Sequence, residues 1–79
     1  MLDLASAPAG ATLIVVSVAG DDALARRLTA SGLWPGVPVE RIGRAPFGDP
    51  LLFRLHGYRL ALRRSEASRV QVAVAGGDR

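Results

Sequence analysis

The chain has no cysteine, no lysine and a single histidine among its 79 residues, and each absence narrows its chemistry. Without thiols there is no disulfide, no thiolate zinc site and no iron–sulfur ligation. Without lysine there is no Walker-type phosphate loop and no Schiff base. One imidazole cannot complete a transition-metal site within a single copy, because such sites combine several His, Cys or carboxylate ligands. A Ser–His–Asp set would have to use His56, which falls in a turn open to water. The expectation is a protein that is not an enzyme and carries no cofactor. The longest apolar stretch, Ala11 to Ala19, is broken by Thr12 and Ser17 and falls far short of the roughly 20 residues of a membrane-spanning helix. The start, Met1-Leu2-Asp3-Leu4, lacks the basic region of a secretory signal. A cytoplasmic domain is expected.

What is present is apolar and basic. At 79 residues the chain has room for one core and not two, and its 49% hydrophobic content lets that core hold the fold without staples. A domain this small buries only about 60% of the surface its unfolded chain exposes, and the per-residue scale gives roughly 4–12 kcal/mol of stability. All ten basic residues are arginine, a usage that reads as codon bias. Their placement is uneven. Residues 1–50 carry four arginines and five acids, residues 51–79 six arginines and two acids. A basic second half suits an acidic partner, nucleic acid or an anionic membrane surface, and equally a solvated strand face.

Along the chain, Thr12 to Val18 is rich in β-branched residues and reads as a strand ended by Gly20. Asp21 or Asp22 caps a helix over about Ala23 to Ser31, with Leu24 and Leu28 one turn apart on its inner side and Gly32 as its C-terminal stop. After the turn Gly32-Leu33-Trp34-Pro35-Gly36, a second strand runs from Val37 to Ile42, with Pro38 near its start. Leu51 to Leu55 and Tyr58 to Leu62 form a hairpin about His56-Gly57. A two-residue turn pairs Leu55 with Tyr58, Phe53 with Leu60 and Leu51 with Leu62 on one face. Arg54 and Arg59 then lie opposite one another on the other face, and a one-residue slip would destroy this agreement. Ser65 to Ser68 reads as one helical turn, and Val70, Val72 and Val74 alternate in a last strand. Five short strands, one helix and one helical turn describe a mainly β protein, a small curled sheet or barrel whose closure would remove exposed edges.

Between the second and third strands lies Arg44-Ala45-Pro46-Phe47-Gly48-Asp49-Pro50, in which two prolines restrict the backbone on either side of an aromatic tip. Gly57-Tyr58-Arg59-Leu60-Ala61-Leu62-Arg63-Arg64 follows, a strand ending in paired arginines. In this order these segments, with Gly32-Leu33-Trp34-Pro35-Gly36, closely resemble the FeoA family of bacterial ferrous iron uptake. The resemblance covers about Leu2 to Val74. It implies one SH3-like β-barrel domain over residues 1–74 with the helix inserted after the first strand, and residues 75–79 read as a frayed tail. It further implies an accessory protein that acts by binding the FeoB permease rather than by catalysis. Trp34 departs from the family pattern, in which a smaller apolar residue is expected.

The candidate contact residues are Leu33, Trp34 and Pro35 in the first turn, Arg44, Phe47 and Asp49 in the loop, and Arg54 and Arg59 on the hairpin. Trp34 either covers one end of the barrel or anchors a partner, and Phe47 has the same two readings. Tryptophan and arginine are enriched among interface hot spots. Like charges opposed across strands destabilise a sheet, by a few tenths to about 1 kcal/mol. Either Glu40 or Glu66 therefore neutralises the Arg54–Arg59 pair, or the face meets an anionic surface. His56 and Asp49 are weak candidates for a metal shared between two copies, and a weak homodimer is left open. The alternatives are a basic barrel that binds nucleic acid, disfavoured because no aromatics are interleaved with the hairpin arginines, and a repressor-type interaction domain.

Overall fold

The computed structural model describes residues 2–75. Asp3 opens the chain by capping a short 3-10 turn, Leu4–Ser6, through a carboxylate that accepts the Ser6 N–H at 3.0 Å. Strand β1, Thr12–Val18, follows, then helix α1, Ala23–Ala30. Asp22 is the residue that caps α1, accepting the Ala25 N–H at 3.1 Å. Gly32 takes a φ of 100° just after the helix, the left-handed conformation expected of its stop. Strand β2, Pro38–Arg44, runs two residues beyond the expected end at Ile42, and β3, Leu51–Leu55, and β4, Tyr58–Leu62, complete the hairpin. A single helical turn α2, Arg64–Ala67, leads into β5, Val70–Val74.

All neighbouring strands are antiparallel, in the order β4-β3-β2-β1-β5. The hairpin register is the one the alternation demands: Leu55 faces Tyr58, Phe53 faces Leu60, Leu51 faces Leu62, and Arg54 faces Arg59. His56 and Gly57 both have positive φ, 52° and 80°, as a type I′ turn requires. Register shifts between Val15 and Ser17 on β1 and between Arg41 and Gly43 on β2 bend the sheet. The curled sheet encloses a core centred on Phe53 and filled by Leu13, Val15, Val39, Leu51, Leu55, Leu62, Val70 and Val72. Leu28 of α1 joins it, while the expected partner Leu24 is only half-buried and Ala25 takes the inner position. Ala67 of α2 and Leu4 of the N-terminal turn close it from the other elements.

The small curled five-strand sheet is as expected, and two details within it differ. The sheet is not closed by a continuous ladder, because β4 and β5 end it rather than pairing with each other. The β5 edge is instead covered by the N-terminal segment, through a hydrogen bond from the Val72 N–H to the Leu2 carbonyl at 2.9 Å and a bridge between Asp3 and Gln71. Tyr58 shares a face with the core residues of the hairpin yet stays 43% exposed, because it lies on β4, the sheet's outermost strand, while its partner Leu55 on β3 is buried. Of the expected tail, Ala75 is held in a turn by its N–H on the Thr12 carbonyl at 3.0 Å. Residues 76–79 lie outside the described residues.

Candidate contact surface

The end of helix α1 and the tip of the β3–β4 hairpin meet at three rings. The Trp34 indole Nε1 donates to the Thr29 carbonyl at 2.7 Å, which fixes the ring while leaving the residue 52% exposed. The His56 ring lies 5.8 Å from it, centroid to centroid, and stacks at 6.3 Å on Tyr58. His56 Nε2 is 3.2 Å from the Gly32 carbonyl, and the Tyr58 hydroxyl donates to the Ser31 carbonyl. Carbonyls left open at the end of α1 are thus taken by side chains from the hairpin. A Cβ at Gly32 would stand 2.9 Å from the His56 ring, so glycine here serves both the turn and the close approach.

Trp34 also lines a groove of about 580 Å³ along α1, together with Val18, Ala25, Ala30, Asp21, Arg26 and Thr29. The Arg26 guanidinium is turned back on the Asp21 carbonyl at 2.7 Å. Beside the groove, Asp22 holds Arg69 through contacts of 2.6 and 3.0 Å. That hydrogen-bonded pairing, together with the Ala25 N–H, keeps the Asp22 carboxyl well below the usual carboxylate range.

Of the expected contact residues, Leu33 belongs to the core, being 1% exposed. It positions the turn and presents nothing outward. Trp34, Pro35, Arg54 and Arg59 are exposed around the α1 and hairpin end. Glu40 is the acid that meets Arg54, 3.3 Å away and directly across the ladder. Glu66 is committed elsewhere, to Arg27 at 2.7 Å and to the Arg63 backbone N–H at 2.9 Å. Among the described residues, neither Arg59 nor Arg63 has an acidic partner within ion-pair distance.

The loop residues form a second, separate surface. Phe47 is 99% exposed at the opposite end of β3 from His56, and a five-residue strand separates the two ends by about 13 Å. The loop is braced by the Ala45 N–H on the Pro50 carbonyl at 2.9 Å and the Gly48 N–H on the Ala45 carbonyl at 2.8 Å. The Asp49 carboxylate accepts the Arg64 backbone N–H at 2.8 Å, and the Arg64 guanidinium returns to the Gly48 carbonyl at 3.2 Å. Asp49 therefore anchors the loop to α2. Arg44 is exposed at the loop's start, opposite Leu51. Among the described residues no three His, Cys, Asp or Glu side chains converge to hold a metal ion, and His56 and Asp49 lie at opposite ends of the hairpin.

Sequence reading assigned no role to Arg41, which is 8% exposed. Its Nη1 donates to the Ala7 carbonyl at 2.5 Å and its Nε to the Gly43 carbonyl at 3.1 Å. Burial, with Arg64 and Arg44 nearby, lowers its pKa from the ordinary arginine value. Alternation with Val39 was the available signal, since both sit two apart on one face of β2.

The sequence pattern of the FeoA domain family matches residues 2–74. The chain belongs to the FeoA family. The FeoA protein from Chlorobium tepidum, solved in solution, is 36% identical, with a TM-score of 0.87 over 99% of this chain and 74% of its own. FeoA from Stenotrophomonas maltophilia, crystallised with zinc and described as an SH3 domain protein, is 38% identical, with a TM-score of 0.81 over 91% of this chain and 89% of its own. The five curled strands of this FeoA chain have that SH3-like architecture. An Fe(2+) transport protein A/Fe(2+) transporter FeoB fusion protein from Porphyromonas gingivalis is 28% identical over 69 residues. The match takes in 87% of this chain but only 8% of the fusion's length. No helix among the described residues is long and apolar enough to cross a membrane.

Proposed function

We propose that this chain is a non-catalytic accessory protein of ferrous iron uptake, cytoplasmic and recruited to the inner face of the membrane by a FeoB-type permease. The observation that carries this reading is the fusion relative, in which a segment like this one shares a polypeptide with a FeoB transporter. A segment that shares a chain with a FeoB transporter in one organism has a reason to meet such a transporter in another. The surface chemistry supports binding over catalysis. His56 is spent on a backbone carbonyl, while Trp34 is exposed on a fixed ring against the hairpin tip, and Arg54 and Arg59 are exposed on the hairpin's outer face. In this reading Trp34, Pro35, Arg54 and Arg59 make one contact, and the Arg44, Phe47 and Asp49 loop makes a second at the far end of the hairpin.

Trp34 supplies the test, as the only tryptophan in the chain. Titrating the chain with the permease's cytosolic domain should give a saturable change in tryptophan emission after correction for the partner's own signal. Arg59→Glu should weaken it about tenfold or more, the scale of one desolvated charge contact. A response that Arg59→Glu leaves intact would remove the hairpin from the contact surface.

A further inference from the structure

The two ends of the sheet are treated differently. At β5 the N-terminal segment supplies backbone partners, the Leu2 carbonyl among them. At β4 no described backbone group takes that place, since the strand's sole neighbour in the ladder is β3. In a two-residue hairpin the residues flanking the turn exchange both backbone hydrogen bonds. The bonded pairs are then Leu55–Tyr58, Phe53–Leu60 and Leu51–Leu62. The N–H and C=O groups of Arg59 and Ala61 therefore point outward, and both residues are exposed.

An open edge is an aggregation hazard that proteins ordinarily blunt with charge. Here the charge is of one sign. Arg59 stands on the outer face of the edge and Arg63 just past the strand's end, both without acidic partners among the described residues, and Arg54 lies across from Arg59 with Glu40 as its counter-charge. A second copy approaching edge to edge would bring arginine against arginine. An acidic strand would meet complementary charge. On the other face of the same edge Leu60 is only half-buried against the core, leaving apolar surface that an added strand would cover. We propose that β4 is a docking edge for an extended segment in which acidic residues alternate with apolar ones. The segment adds as a further strand, with the Arg59 and Ala61 backbone as its hydrogen-bonding partners. Its acids face Arg59 and Arg63, and its apolar residues extend the cover over Leu60. This is recognition by strand addition, in which the backbone supplies affinity and alternate side chains supply choice. It goes beyond the docking reading above and does not require the partner to be the permease.

The test uses a short synthetic peptide alternating glutamate with valine, its lysine-for-glutamate counterpart, and amide-resolved NMR on the intact chain. The glutamate peptide should shift β4 resonances saturably and slow hydrogen exchange at the Arg59 and Ala61 amides, and the lysine peptide should do neither. Ala61→Pro removes an outward N–H at a position where an edge strand tolerates proline. It should weaken the glutamate peptide about tenfold or more. Arg59→Glu, which leaves the backbone untouched, should shift the preference towards the lysine peptide, and it carries the test if the proline variant fails to fold. Binding without protection of those two amides, or no binding at millimolar peptide, would overturn the proposal. Self-association of the free chain through β4, abolished by Ala61→Pro, would overturn it too, by making a second copy the occupant.

Discussion

Arg41 shows what a single residue contributes when its charge is turned inward. Its guanidinium joins the Ala7 carbonyl to β2 and satisfies the Gly43 carbonyl beside the strand's register shift. It thereby ties the N-terminal segment to the sheet. Arg41→Ala should cost about 1–3 kcal/mol, because a buried acceptor is left without a donor. A urea unfolding series should show a lower midpoint at unchanged slope; an unchanged midpoint would mean that water replaces the guanidinium without loss. This role was hidden in the sequence because it depends on a contact 34 residues away. Leu33 was misplaced for a related reason. Next to an exposed tryptophan in a turn it reads as surface, but the turn folds it into the core.

Among the elements, the hairpin was the most legible. Its two-residue turn, the positive φ required at Gly57 and strict alternation on both strands all demand one register, and the structure has it. The outward pair Arg54 and Arg59 followed from the same parity, whereas the choice of Glu40 over Glu66 as counter-ion needed the β2–β3 register. The open β4 edge was not legible. Whether a sheet's ends meet depends on curvature and on the N-terminal segment, not on local pattern.

Helix α1 carries a pH dependence with a definite sign. The Asp22 carboxyl is depressed in the folded chain, first by Arg69 and then by the Ala25 N–H. Its stabilising effect should be fully present above the ordinary carboxylate pKa of about 4 and should fade as pH falls below that value toward the folded-state pKa. Asp22→Asn keeps a competent helix cap and should flatten this part of the stability-versus-pH curve between about pH 5 and pH 2. Equal acid slopes in the two proteins, followed by thermal unfolding, would remove Asp22 from the acid response.

At the scale of the whole molecule, the chain has two ends rather than one site. Trp34, the α1 groove and the hairpin tip lie together, while the Phe47 loop projects from the far end of β3. Sequence reading found most of these surface residues but could not show that they divide, because sequence order sets neither strand curvature nor which loops share a side. The basic second half resolves into specific places. Arg64 braces the Phe47 loop, Arg69 holds Asp22 and Arg54 meets Glu40. Among the described residues of this half, Arg59 and Arg63 are left without an acidic partner near an open edge, suited to steering an acidic partner at low ionic strength.

The most direct test of a permease-binding role is surface plasmon resonance of the chain over a full-length FeoB-type permease held in nanodiscs. The run is made at about 0.05 M and about 0.3 M salt, across which charge screening lengthens or shortens by more than twofold. Saturable binding that weakens at the higher salt and again with Arg59→Glu is the expected result. No saturable binding at either salt, with both proteins folded, would contradict the account.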